Sequence, residues 1–208
     1  MLEINNVSVR IGDAQLLRPI TASVPPGENL FIRGANGSGK TTLLRVLAGE
    51  RTPSAGSVTM YGSTISNRSR AFRRCVSSMI GPTPLAADLT VREHVVLVAT
   101  TWLPKNAVEE ASTSIISSLR LSSVAQHFPH ELSSGQSCLL SLALGLVRPF
   151  DVLILDEPEQ RLDSEHLGLV IDVLADRAGG GATLVAATHS SILTTALAGQ
   201  VLTLGEAS

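Results

Sequence analysis

Apolar positions along the chain fall into two alternating rhythms. An unbroken apolar run at residues 152–155 and largely apolar runs at 30–33 and 182–188 read as strands buried on both faces, and the stretches between them carry apolar residues at helical spacing. That alternation predicts an α/β fold, a mainly parallel sheet covered by helices on both sides. The N-terminal stretch differs. Residues 2–10 and 16–24 read as paired strands around a Gly12-Asp13 turn, so a small antiparallel sheet is expected ahead of the main one. Pro25-Pro26-Gly27-Glu28 then breaks the chain before the strand at 30–33. A helix is predicted over 39–48, with Leu43, Leu44 and Leu47 on one face and Gly49 at its end. Short strands are expected at 57–61 and 75–80, after which Gly81-Pro82-Thr83-Pro84 interrupts the pattern.

From Thr90 to about Arg148 the spacing is helical, and Thr90 with Glu93 has the form of a capping box. This block, residues 82–148, reads as an all-helical lobe inserted between two parts of the sheet, residues 1–81 and 149–208. A helix over 164–178, closed by Gly179-Gly180-Gly181, and a last strand over 200–204 complete the pattern. At about 150 residues per domain, 208 residues fit one domain with an inserted lobe better than two independent ones. Trp102 is expected in the core. Cys75 and Cys138 lie in apolar settings without metal spacing and are expected as two buried, reduced thiols. His127 and His130 have no Cys or acid cluster to complete a zinc set.

Composition narrows the partners. Lys plus Arg is 16 and Asp plus Glu is 18, a formal charge of −2, and only Phe 4, Trp 1 and Tyr 1 offer stacking platforms. Nucleic-acid binding is therefore not expected. Charged residues make up 16 %, against about 25 % in an average soluble domain, and mean hydropathy is +0.26. Either the interior is unusually apolar or a partner covers an apolar face. No run reaches the ~18 apolar residues of a membrane span, because Ser141, Arg148, Pro149 and Asp151 interrupt the best candidate. The start Met-Leu-Glu-Ile-Asn-Asn has neither a basic segment nor an apolar block, so no export leader is expected.

Two motifs carry chemistry on their own. Gly34-Ala35-Asn36-Gly37-Ser38-Gly39-Lys40-Thr41 fits G-x-x-x-x-G-K-[ST] between a buried strand and a helix start. Its glycines let main-chain N–H groups curl around phosphate oxygens, Lys40 would neutralise the β- and γ-phosphates, and the Thr41 hydroxyl would ligate Mg²⁺. This reads as a nucleoside-triphosphate site. The apolar run 152–155 ends in Asp156-Glu157 and delivers two carboxylates to the C-terminal edge of the sheet, where open α/β folds bind ligands. Asp156 is placed to hold the Mg²⁺ shell, and Glu157 to accept a proton from a water attacking the γ-phosphate. Glu131-Leu132-Ser133-Ser134-Gly135-Gln136 precedes an apolar helix, and either serine would serve as its N-cap.

These segments, in this order, make the chain resemble the nucleotide-binding domains of the ATP-binding cassette (ABC) superfamily over nearly its whole length. The resemblance implies a P-loop NTPase core of the ABC ATPase fold, with an N-terminal antiparallel β part and the helical lobe. Residues Gly34 to Thr42 (Thr42 included) match the family's phosphate loop, Asp156 and Glu157 its Walker B strand and catalytic glutamate, and Leu132 to Gln136 its signature, usually LSGGQ. Leu162-Asp163 matches the end of its D-loop, and His189 its switch histidine. The family then implies a head-to-tail dimer, each ATP lying between one subunit's phosphate loop and the other's signature. Ser133 and the Gly135 N–H would touch the γ-phosphate across that interface, His189 would orient phosphate and water, and Asp163 would couple the two sites. Residues 82–94, from Pro82 to His94, correspond to the groove for a cytoplasmic helix of the transmembrane subunit; a solvated loop is the equal alternative.

Departures from the family pattern matter too. Where the family has a Mg²⁺-ligating Gln, this chain has Gly81, and its adenine-stacking aromatic falls at about Ile11, which offers apolar contact without a ring. Ser134 replaces the first signature glycine, and Ser137-Cys138-Leu139-Leu140 the usual basic residues after Gln136. The expected function is the ATP-binding, Mg²⁺-dependent ATP-hydrolysing subunit of a transporter, cytoplasmic and peripheral at the inner face of the membrane, working with a second cassette, identical or homologous, and with membrane subunits. The chain length also resembles small exporter-type cassettes, including haem-export subunits of cytochrome c maturation. The competing readings are a soluble, non-transport cassette ATPase and a regulatory subunit that binds ATP and hydrolyses it slowly.

Overall fold

Two sheets of opposite kind divide the strands in the computed structural model, which describes residues 1–205. The chain opens with β1 (Leu2–Ile11) and β2 (Ala14–Val24), an antiparallel pair closed where Ile11 faces Ala14. It continues through β3 (Leu30–Gly34), α1 (Lys40–Leu47), β4 (Ala55–Met60), β5 (Ser63–Thr64), α2 (Arg70–Cys75) and β6 (Val76–Met79). Three longer helices follow, α3 (Val91–Trp102), α4 (Lys105–Ser118) and α5 (Ser134–Leu146). The remainder is β7 (Val152–Asp156), α6 (Ser164–Gly179), β8 (Thr183–Ala187), α7 (Ser191–Leu197) and β9 (Gln200–Leu204). The antiparallel sheet has the order β2-β1-β4-β5 and the parallel one β6-β7-β8-β3-β9.

The unbroken apolar strands are explained by what lies on each face. Side chains alternate across a strand, so Val152 and Ile154 enter one buried cluster with Leu43 and Leu44 of α1 and Ile4 of β1. Leu153 and Leu155 enter the other, with Val95, Leu140 and Val170 from α3, α5 and α6. No position of β7 before Asp156 faces water, which removes the polar alternation. Buried polar groups are paired where these layers meet. Asn29 donates to the carbonyls of Leu197 and Ala198 and accepts from the Leu184 N–H, tying β8 to the start of β3 and the end of α7. Ser77 donates to the Gly145 carbonyl at 2.8 Å, fixing α5 on β6.

Register sets where the chemistry can lie. Ala187 at the end of β8 pairs with Ile32 of β3 on one side and Asp156 of β7 on the other. The segments after β3, β7 and β8 therefore leave the parallel sheet at one level and at one edge.

Three expectations are revised. Trp102 is only half-buried, because α3 ends at the surface and the Arg148 guanidinium covers the ring, 3.8 Å from its centroid. Both cysteines are half-buried and unpaired rather than buried: Cys75 ends α2 beside Asp151 instead of starting a strand, and Cys138 lies on α5 at the rim of a cleft. Burial is the largest cause raising both thiol pKa values, so neither is an activated thiolate. The short elements α2, β5 and α7 had no periodic signal.

Leu140, fully buried among three helices, contrasts with Leu97, 57 % exposed on α3. Urea denaturation should show Leu140→Ala costing about 2–5 kcal/mol and Leu97→Ser less than about 0.5 kcal/mol; equal costs would contradict the assignment of the core.

Candidate functional site

Residues 35–39 form a tight loop between the last residue of β3, Gly34, and the first of α1, Lys40. Gly34, Gly37 and Gly39 have φ of 150°, 82° and 101°, values that side-chain-bearing residues adopt only under strain. A Cβ on Gly39 would lie 2.6 Å from the Leu16 carbonyl oxygen, and one on Gly34 2.6 Å from that of Leu204. The loop is thus packed against main chain where it leaves and re-enters regular structure, and open at Gly37, where nothing lies within 4 Å. Gly39 caps α1 without a side-chain acceptor, and no acid lies in the first turn. Such a helix start keeps its N–H groups and positive potential available to an anion.

Lys40 is 6 % exposed, and its Nζ donates to the Gly34 carbonyl at 2.8 Å and to that of Ala35 at 3.4 Å. Ser38 Oγ is buried with no hydrogen-bond partner, a polar atom inside the loop that an anionic oxygen would satisfy. Thr41 Oγ1 donates to Asp156 Oδ2 at 2.7 Å, joining the helix start to the end of β7. A hydroxyl and a carboxylate in contact, beside a lysine, are the hard oxygen donors that suit Mg²⁺ with phosphate.

Glu157 has φ of 50°, the left-handed region, and its N–H continues the sheet by donating to the Ala187 carbonyl at 2.8 Å. Strain at a side-chain-bearing residue persists where surroundings over-determine it. The carboxylate is flanked on both sides: His189 Nε2 lies 3.7 Å from Oε1, and the Gln160 amide donates to Oε2. A groove of about 420 Å³ is lined by Asn36, Gly37, Gly39, Lys40, Thr41 and Thr42 and by Glu157, so loop and carboxylate share one space. Gln15 and Leu16 of β2 line it as well. Ile11 does not; it is 55 % exposed at the hairpin end.

Other predicted residues lie outside this groove. Ser133 is the N-cap of α5 and forms a reciprocal box with Gln136, accepting from its N–H at 3.2 Å while the Gln136 Oε1 accepts from the Ser133 N–H at 2.9 Å. Ser134 is the first residue of that helix, and a Cβ on Gly135 would lie 3.4 Å from the Arg161 carbonyl oxygen. Asp163 caps α6, accepting from the His166 N–H and facing the His166 ring, each at 2.9 Å. The main-chain N–H of His166 is the largest cause holding the Asp163 carboxyl below the ordinary aspartate range. Gly81 has φ of 74° and borders a second cavity, about 220 Å³, with Pro82, Cys138, Glu157 and Gln160. In the segment after it, the buried His94 ring accepts from the Ala86 N–H at 2.9 Å and contacts the Thr90 carbonyl at 2.9 Å.

Sequence reasoning missed Gln15, Leu16, Gln160, Glu159 and His94. None belongs to a spacing pattern; each matters through a contact across the fold. Only Glu159 and Gln160, polar residues two and three positions beyond Glu157, carried a positional hint.

The ABC transporter family model matches residues 17–160. The chain belongs to the ABC transporter family. It is 33 % identical over 192 residues to the spermidine/putrescine import ATP-binding protein PotA of Chromobacterium violaceum, covering 91 % of this chain and 53 % of that protein. It is likewise 33 % identical over 189 residues to the Nod factor export ATP-binding protein I of Burkholderia pseudomallei, covering 90 % and 62 %. The chain thus spans about half the length of the curated relatives it matches. Among solved structures, the ATP-binding cassette MJ0796, a dimer in a post-hydrolysis state bound to ADP and Pi, superposes with a TM-score of 0.87 at 22 % identity over 98 % of this chain and 94 % of that one. The fold is that of an ABC cassette, a P-loop α/β core carrying an antiparallel sheet. No helix among the described residues is long and apolar enough to cross a membrane.

Two outcomes test this geometry. Gly37→Ala should cost about 1–2 kcal/mol from its left-handed backbone alone, and Gly39→Ala more, because it also meets the Leu16 carbonyl; denaturation midpoints in the reverse order would refute the packing. Because the Asp163 pKa is lowered on folding, its stabilising share is complete above the ordinary aspartate range and is lost as pH falls through the lowered value. Carboxyl ¹³C titration should show that value still depressed in His166→Ala, since the main-chain donor survives; a return to an ordinary aspartate value would mean the imidazole dominates.

Proposed function

We propose that the chain is the ATP-binding and ATP-hydrolysing subunit of an ABC transporter, which closes head to tail with a second cassette around ATP and drives membrane subunits. The observation that carries the reading is the shared groove of Lys40, Thr41 and Glu157. Family membership and relatives named as ATP-binding proteins of both import and export systems support it.

In this reading the N–H groups of residues 34–42 and the Lys40 ammonium bind the triphosphate tail, with Gln15 and Leu16 on the side of the base and Ile11, the position matching the family's aromatic, outside the groove. Lys40 leaves its contacts with the loop carbonyls to meet phosphate oxygens. Mg²⁺, when bound through Thr41 and Asp156, would offset charge on the β- and γ-phosphates. Glu157 accepts a proton from the attacking water, and His189 orients water and γ-phosphate. Ser133, Gly135 and Gln136 of the second cassette close the site, and Asp163 links the two sites.

The unit divides into a RecA-like core, residues 1–81 and 149–208, of which 206–208 lie outside the described residues, and a helical lobe, residues 82–148, that carries the signature. Residues 82–94 form the docking segment for the membrane subunits, and the exposed Leu97 beside them suits burial under a partner. Work of this kind places the chain at the cytoplasmic, inner face of a membrane.

Lys40→Ala should weaken Mg·ATP binding at least tenfold in calorimetry, since the main cationic contact is gone. Glu157→Gln should lower single-turnover hydrolysis about 10²–10⁴-fold and hold an ATP-bound dimer in sedimentation. Equal hydrolysis by wild type and Glu157→Gln would remove Glu157 as the base.

A further inference from the structure

Glu159 joins two parts of the site that the sequence leaves unconnected. Two residues beyond Glu157, its side chain turns toward the end of β8, where one oxygen, Oε1, accepts three hydrogen bonds. The donors are Thr188 Oγ1 at 2.6 Å, the His189 N–H at 2.9 Å and the Ser190 N–H at 3.1 Å. Its Oε2 is buried without a partner. The main chain of 188–190 is further held by a long 3.3 Å bond from the Thr188 N–H to the Ile32 carbonyl, by the Ser190 N–H reaching Thr188 Oγ1 at 3.0 Å, and by the Ser190 carbonyl, which accepts from the Thr194 N–H and hydroxyl at 3.3 Å; the His189 N–H has Glu159 as its acceptor.

The loop that carries Glu159 is itself stiff. The Gln160 N–H donates to the Glu157 carbonyl at 3.0 Å, and the Leu162 N–H to that of Glu159 at 3.2 Å. Glu157, Glu159 and the approach to Asp163 thus form one main-chain unit, and His189 is fastened to it by the Glu159 carboxylate. Capping of α7 does not account for this. Ser190 already caps that helix, accepting from the Leu193 N–H at 3.1 Å, and leaving a carboxylate oxygen buried and unpartnered is unfavourable.

We propose that Glu159 is a positioning residue for His189. It sets the imidazole 3.7 Å from Glu157 and transmits displacement of the 157–163 loop to it, so that a partner pressing on Asp163 moves the histidine. The proposal rests on the ATPase reading for its catalytic consequence and on geometry alone for the tether.

The test compares wild type, Glu159→Ala, Glu159→Gln, His189→Ala and the double variant Glu159→Ala/His189→Ala. In the nucleotide-free protein, amide exchange at His189 and Ser190 should rise at least about tenfold in Glu159→Ala while α6 is unchanged. Single-turnover ATP hydrolysis should fall about tenfold or more with Mg·ATP affinity within about twofold, and Glu159→Gln, which keeps an acceptor oxygen, should restore most of the rate. The double variant should be no slower than His189→Ala, because a residue acting through His189 has nothing left to position. Unchanged exchange at the two amides, or the same fold loss with and without His189, would overturn the proposal. Should Glu159→Ala fail to fold, Glu159→Asp, which withdraws the carboxylate by one methylene, carries the same measurements in the same direction. Failure of the ATPase reading shows separately, as Glu157→Gln hydrolysing at the wild-type rate, and leaves the exchange result standing.

Discussion

The site depends on a matter of register. Ala187 pairs with Ile32 and with Asp156, and because all three strands run in parallel, the segments beyond them emerge side by side. A parallel ladder slipped by one residue would turn every side chain of a strand to the opposite face. Here that would exchange the two apolar clusters on either side of β7. The same packing that stabilises the sheet therefore fixes the level at which the segments carrying Lys40, Asp156 and His189 leave it.

What the sheet delivers, the local backbone then aims. Gly34, Gly37 and Gly39 reach positive φ without a side-chain penalty, but Glu157 and Arg161 hold φ of 50° and 70° with full side chains. At Glu157 the main chain is pinned by its hydrogen bond to Ala187. Unfavourable torsion and strong anchoring coincide, the combination expected where a carboxylate must point in one direction.

The sheet, the glycine loop and the two acids were legible in the sequence because each follows from a local rule. Apolar runs of four or five residues mark strands buried on both faces, and G-x-x-x-x-G-K-[ST] needs both a strand before it and a helix after it. Glu159, Gln160 and Leu16 were not legible, since their roles arise where segments distant in the chain come together. Trp102 and the cysteines show the same limit: apolar neighbours in sequence implied a core position, but α3 and α2 end at the surface at Trp102 and Cys75, and Cys138 lies within α5 at the rim of a cleft. Ile11 matched a family position, yet Gln15 and Leu16 are the β2 residues that border the groove.

The box at the start of α5 has a consequence for recognition. The Ser133 hydroxyl accepts from the Gln136 N–H, which engages a lone pair and leaves its own proton outside that pairing. An incoming acceptor can therefore be met without uncapping the helix. The oxygen is already in place, so only the hydroxyl proton has to turn when a second molecule arrives.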